Sequence, residues 1–168
     1  MVLDLLPIYP SGWTAAVAQL EAMGEELVGV AVGAHHTVVY TQAGRVYAFG
    51  WDDQGQLGLG NGIPLLRPEF PILDQNVTQV VCGMDHTVAL LSTGAVVAWG
   101  ANSACQCTGV GAAATPRPVQ LPPCGLVAAG PHCSGAIGRD AGGLWLWGRG
   151  SELGLPLRRK GAVGYLLS

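Results

Sequence analysis

The sequence predicts an all-β chain, a partial or open β-propeller of about three four-stranded antiparallel blades, on three observations. A glycine-bounded block recurs at an offset of 50 residues. Short apolar runs alternate with turn residues inside each copy. The 26 glycines and 11 prolines in 168 residues describe a chain that turns often, which favours many short strands over long helices.

The block from Gly33 to Gly50 lines up without a gap on Gly83 to Gly100, pairing His36 with His86, Gly44 with Gly94 and Phe49 with Trp99. A third, weaker copy runs from Gly130 to Gly148, with one extra residue before Gly142, Cys133 where the others have His, and Trp147 in the aromatic place. Self-similarity at this period is the signature of a stacked-repeat fold. Leu27 to Val32, Val77 to Cys82 and Leu126 to Ala129 predict the first strands. Thr37 to Tyr40 and Thr87 to Leu91 predict second strands, and a third strand ends at each aromatic-Gly pair. Gly44 and Gly94 fall where a tight hairpin needs positive φ. A fourth strand is expected at about Glu69 to Leu73 and at Pro118 to Leu121.

The chain divides into an N-terminal segment at 1–26, repeats at 27–76 and 77–123, a truncated repeat at 124–155 and a tail at 156–168 holding Arg158, Arg159, Lys160 and the apolar Ala162 to Leu167. Within 1–26, Val17 to Leu20 has the spacing of the last strand of a preceding blade. The competing reading is a helix over Trp13 to Met23, capped by Ser11, that covers an exposed blade face. About three blades cannot close a ring, so the sequence leads one to expect a shortened product of a larger propeller, or self-association through open blade ends.

Composition narrows the function. A chain 49% hydrophobic and 11% charged packs as a globular body. A net charge of −3 with no large basic cluster argues against nucleic acid as a direct partner. Every apolar run is interrupted well short of the ~20 residues that span a membrane. The acidic, proline-cut start from Met1 to Pro10 does not read as a signal peptide. Five cysteines without CxxC pairs fit reduced thiols in a cytoplasmic or nuclear setting.

The pattern Gly-x-x-His-Thr, then Gly, then Trp-Gly, followed by Gly55-Gln-Leu-Gly-Leu-Gly60, resembles the regulator of chromosome condensation repeat. The resemblance runs from about Val17 to Leu155. The second copy has Ala104-Cys-Gln-Cys-Thr-Gly109 in place of the glycine-rich stretch, which reads as a degenerate loop.

Residues that recur in every repeat are expected to be structural, because equivalent positions lie about one blade apart and cannot converge on a metal. Gly33, His36, Gly44, Gly50, Gly83, His86, Gly94, Trp99, Gly100, Gly130, Trp147 and Gly148 form this set, with His36 and His86 expected to bond the turns of their own blades and the aromatics to pack between blades. Cys105, Cys107, Cys124 and His132 match no strong zinc template. No catalytic constellation, cofactor site or metal site is expected. The candidate partner contacts are Trp51, Asp52, Asp53 and Gln54, an exposed aromatic flanked by acids and amides, with Asn61 and Arg67 beside them.

The resemblance implies two functional classes: a non-enzymatic platform that binds another protein through inter-strand loops, and an exchange factor or regulator acting on a small GTPase. The first two repeats align without a gap, which leaves no room for an inserted wedge and favours the platform. Exchange activity, if present, should need Asp52 and Asp53.

Overall fold

The computed structural model describes residues 10–109, 111–140, 143–153 and 165–167. A helix, α1 (Pro10–Ala22), precedes three sheets. The first sheet holds β1 (Leu27–Val32), β2 (His36–Thr41), β3 (Arg45–Gly50) and β4 (Leu73–Asp74). The second holds β5 (Val77–Cys82), β6 (His86–Leu91), β7 (Val96–Gly100) and β8 (Ala113–Val119). The third holds β9 (Cys124–Ala129), β10 (Cys133–Gly138), β11 (Leu144–Gly148) and β12 (Tyr165–Leu167). Each sheet is an antiparallel meander in chain order, so each repeat builds one blade of an open propeller.

Register follows the repeat. His36 faces Gly50, His86 faces Gly100 and Cys133 faces Gly148 across their hairpins, with Thr37, Thr87 and Ser134 opposite Phe49, Trp99 and Trp147. The hairpin glycines behave as expected, with φ of 77° at Gly44 and 90° at Gly94. Gly142 of the third hairpin lies outside the described residues.

Three expectations are corrected. Val17 to Leu20 lies in α1 and not in a strand. The alanine-rich stretch with Gln, Leu and Glu favours helix, Pro10 occupies the first turn, where its missing N–H costs nothing, and Gly24, at φ 74°, ends the helix in the left-handed region. Ser11 falls inside the first turn of this helix, which starts three residues earlier than expected. The fourth strands are Leu73–Asp74 and Ala113–Val119, displaced from Glu69 to Leu73 and Pro118 to Leu121. The third blade does not stop at 155: Tyr165–Leu167 returns from the tail to pair with Leu144–Leu146.

The core lies between blades. Val38, Ala48 and Leu57 of the first repeat pack with Val80, Ala89 and Trp99 of the second. Val88, Ala98 and Cys107 of the second pack with Val127, Ala136 and Trp147 of the third. The outer face of blade 1 is covered in part by α1, whose Leu20 is buried with Val39 and Tyr47, while Val28, Val30 and Val32 of β1 stay exposed. Glu25, just past the helix, accepts from Tyr47 Oη at 2.8 Å and Arg45 Nη1 at 2.7 Å. Burial opposes its charge, but these bonds outweigh it and hold the carboxyl below the ordinary range.

The recurring histidines bridge to the next blade, and not to their own turns as the sequence led one to expect. His36 Nε2 lies 3.0 Å from Thr87 Oγ1, and His86 Nε2 lies 2.9 Å from Ser134 Oγ. Each hydroxyl in turn donates to a buried carbonyl of the preceding blade's loop, Thr87 to Gln56 O at 3.3 Å and Ser134 to Gln106 O at 2.7 Å. The same carbonyls accept the indole N–H of Trp99 at 3.0 Å and Trp147 at 2.9 Å. Because the hydroxyl proton is committed to the carbonyl, the imidazole must donate, which fixes the proton on Nε2. Nδ1 of both rings is buried without a partner among the described residues. Gly33 and Gly83 are small because any side chain there would collide with the imidazole of the same turn. Burial, with the charge of nearby histidines, pushes both rings down to about 4.

The carbonyls of Gln56 and Gln106 are held in place by their loops. Asp52 is buried; its Oδ1 accepts from Leu57 N at 2.9 Å and its Oδ2 from Gly62 N at 3.1 Å, while burial raises its pKa. Asn102 does the same work in the second blade, accepting from Cys107 N at 2.9 Å and donating to Gly109 O and Gly111 O, both at 2.8 Å. Gln56 and Gln106 each fold their side-chain Oε1 back onto a loop N–H, at 2.8 Å and 2.9 Å. The loop that read as degenerate therefore keeps the same construction.

Three outcomes follow from this joint. Ser134→Ala leaves His86 Nε2–H buried without an acceptor, which should cost about 2 kcal/mol and lower Tm by roughly 5 °C in a melting experiment. Both histidines titrate near 6.5 when unfolded and at about 4 when folded, so the unfolded chain binds more protons between those values. Denaturant midpoints should thus be highest above about pH 6.5 and fall towards pH 4, and replacing both histidines with Gln should flatten that slope. Asp52→Asn keeps one acceptor but sets its NH2 against the other backbone N–H, so it should cost about 1–2 kcal/mol, and Asp52→Ala, which loses both acceptors, about 3 kcal/mol or more, read by chemical denaturation.

Candidate interaction face

In a meander of four strands, the turn between the first and second strands and the loop between the third and fourth lie at the same end of a blade. The turns are laced together there: Ala34 N donates to Met84 O at 2.8 Å and Met84 N to Pro131 O at 3.1 Å. Each loop starts by bonding its own turn, Trp51 N to His35 O at 2.9 Å, Ala101 N to Asp85 O at 2.8 Å and Arg149 N to His132 O at 2.9 Å. In the third blade Glu152 ties the loop back to His132, with Oε1 2.8 Å from Nδ1.

This face gathers the sequence-chosen contacts with one exception. Trp51 is exposed and its ring lies 6.2 Å from that of His35. Asp53, Gln54, Asn61 and Arg67 are exposed on the same loop. Asp52 is corrected: its carboxylate is buried and both oxygens are used inside the loop, so it shapes the surface without reaching a partner.

The stretch from Asn61 to Pro71 adds three contacts that the sequence reading passed over. Leu66 is 88% exposed, Ile63 58% and Phe70 51%, beside Trp51 at 62%. The loop is nevertheless firmly held, since Leu65 exchanges two hydrogen bonds with Gly50 at 2.7 and 2.9 Å, Ile72 N donates to Val46 O at 2.7 Å and Pro68 is buried. The signal was present as Ile63-Pro-Leu-Leu66, an apolar run outside the repeat register and without strand alternation.

Beside this rim a cleft of about 620 Å³ opens between the loops of blades 1 and 2. Its walls include Asp53, Gln54, Ser103 and Cys105, with glycines and alanines making up most of the rest. The cysteines and His132 do not assemble: Cys107 and Cys124 are buried and donate separately to Ala101 O at 3.2 Å and Pro122 O at 3.1 Å. Burial pushes the Cys82 and Cys107 thiols up to about 12. Among the described residues no helix is long and apolar enough to cross a membrane.

Two family models, each described as the regulator of chromosome condensation (RCC1) repeat, match the chain, one at residues 43–90 and the other at 27–56 and 77–106. The ultraviolet-B receptor UVR8 of Arabidopsis thaliana is 39% identical over 82% of this chain and 33% of its own length. The crystal structure of human WBSCR16 superposes with a TM-score of 0.75 at 25% identity, covering 86% of this chain and 38% of that one. Prp20p of Saccharomyces cerevisiae, whose structure is described with its binding to Gsp1p and histones, gives 0.65 at 28% identity over 74% and 31%. The chain spans about a third of the length of each of these relatives. With matching repeats, a shared blade register and relatives of this kind, the chain belongs to the regulator of chromosome condensation repeat family.

Proposed function

We propose that the chain is a non-catalytic protein-interaction module, acting in the cytoplasm or nucleus, that binds a partner protein through the loop face of blades 1 and 2. The observation that supports this most is the loop from Trp51 to Ile72, which is pinned by hydrogen bonds at both ends yet presents Trp51, Ile63, Leu66 and Phe70 to solvent. Large apolar side chains on an already ordered backbone lose little entropy on binding, which is the character of interface anchors. The repeat joints use His36, His86, Trp99 and Trp147 as structural groups, which supports reading these recurring residues as scaffold.

The test is a comparison of proteins retained by the immobilised chain and by a Leu66→Asp/Phe70→Asp variant with an unchanged melting curve. Each anchor is worth about 1–2 kcal/mol, so specific partners should be retained roughly tenfold less or worse by the variant. An identical set of retained proteins would overturn the assignment of this loop.

Exchange activity on a small GTPase is the second reading, supported by the likeness to Prp20p and by the family resemblance. It is measured by release of labelled guanine nucleotide from small GTPases in the presence of the chain. Asp53→Ala is the informative substitution there, because Asp52→Ala removes a loop support.

A further inference from the structure

The cleft between the loops of blades 1 and 2 is built differently from the rim beside it. Its described lining carries no Lys, Arg or His side chain, and most of it consists of glycine and alanine. Gly60 and Gly62 on one side and Gly111 and Ala112 on the other leave main chain exposed at its mouth, while at its base Gly55 packs directly against Ala114. Such walls admit the main chain of a visiting segment and have no apolar pocket for a large hydrophobic anchor.

Charge selects the visitor. Asp52 lines the cleft but both its oxygens are committed to Leu57 N and Gly62 N. Asp53 is different: Gln56 Nε2 donates to its Oδ1 at 3.0 Å, Gln54 Nε2 touches Oδ2 at 3.5 Å, the backbone N–H groups of Asp53 and Gln54 also act on the carboxylate, and the residue is exposed. The side chain is thus aimed and retains acceptor capacity. The bond from Gln56 foremost holds its carboxyl below the ordinary range. The second and third blades carry Ser103 and Ser151 at the equivalent place, so this carboxylate belongs to the first blade alone.

We propose that this cleft seats a lysine or arginine side chain carried on an extended, small-residue segment of the partner protein, with Asp53 receiving the cation. The proposal rests on the loop face being the interaction surface, and it names what the partner brings there. Trp51, next to Asp52 of the cleft wall, and Ile63, next to Gly62, supply apolar anchoring at its edge, and the Asp53 seat supplies selection between partners, since an acidic or neutral side chain placed there is not attracted to the carboxylate.

The experiment uses the full chain, isotopically labelled for amide NMR, titrated with the acetylated and amidated peptide Gly-Ala-Ser-Arg-Ser-Ala-Gly and with the same peptide carrying citrulline, a neutral isostere, for arginine. Shifts are expected at the amides of Gly55, Gly60, Gly62 and Gly111, saturating by millimolar peptide. Asp53→Asn should weaken the arginine peptide roughly tenfold, as should the citrulline exchange, while the variant's melting curve stays that of the parent. Absence of shifts at millimolar peptide, shifts confined to other surfaces, or equal binding of both peptides to parent and Asp53→Asn would each overturn the seat. Loss of retained proteins on changing Leu66 and Phe70 would in that case still support the loop face, so the two readings fail separately.

Discussion

The structure depends on one interaction made twice: a buried loop carbonyl, Gln56 O or Gln106 O, reached by a hydroxyl and an indole from the next blade. An unpaired carbonyl in a desolvated seam is costly, so each blade is completed only by its successor. The imidazole of the first blade closes the chain by donating to the same hydroxyl. Apolar packing of Val38, Ala48 and Trp99, or of Val88, Ala98 and Trp147, supplies most of the driving force at the seams. The polar relay sets the register, because a shifted blade would strand several buried groups at once.

The two outward faces lack this chemistry. Blade 1 has Phe49, which has no indole N–H, where the others have Trp99 and Trp147, and blade 3 has Cys133 where the others have His36 and His86. On blade 1 the surface is taken by α1, with Leu20 filling the place between Val39 and Tyr47 and Glu25 clamping Tyr47 and Arg45. A helix covers part of a sheet face without matching its register, since apolar contact is non-directional. A blade would need the relay as well.

Function is placed by the same scaffold. The relay fixes the loop after the third strand at its Gln carbonyl, and the Asp52 and Asn102 side chains fix the remainder. The parts of the loop left over, from Trp51 outward and from Ile63 to Phe70, are therefore displayed on a backbone that has little freedom left to lose. That separation explains why two adjacent acids differ so much: Asp52 turns into the loop and Asp53 turns towards the cleft.

The sequence by itself determined the blade. Its 50-residue offset, its glycines at the hairpins and its strand alternation were enough for the first three strands of the first two blades and the inter-blade place of Trp99 and Trp147, because these are set by local backbone geometry and period, whereas the fourth strands, which follow irregular loops, were not placed by it. It also marked Trp51, Asp53, Gln54, Asn61 and Arg67 as surface, since they lie in a loop after a strand end. Tertiary structure decided the rest. Whether Val17 to Leu20 forms a strand or a helix depended on which face was available to cover, and the repeat register pointed the other way. His36 and His86 were legible as structural, but their partners, Thr87 and Ser134, lie 51 and 48 residues on, across a seam that sequence spacing does not describe. The burial of Asp52 beside the exposure of Asp53 was equally hidden, because direction within a loop is set by distant backbone N–H groups that the chain brings together only when folded.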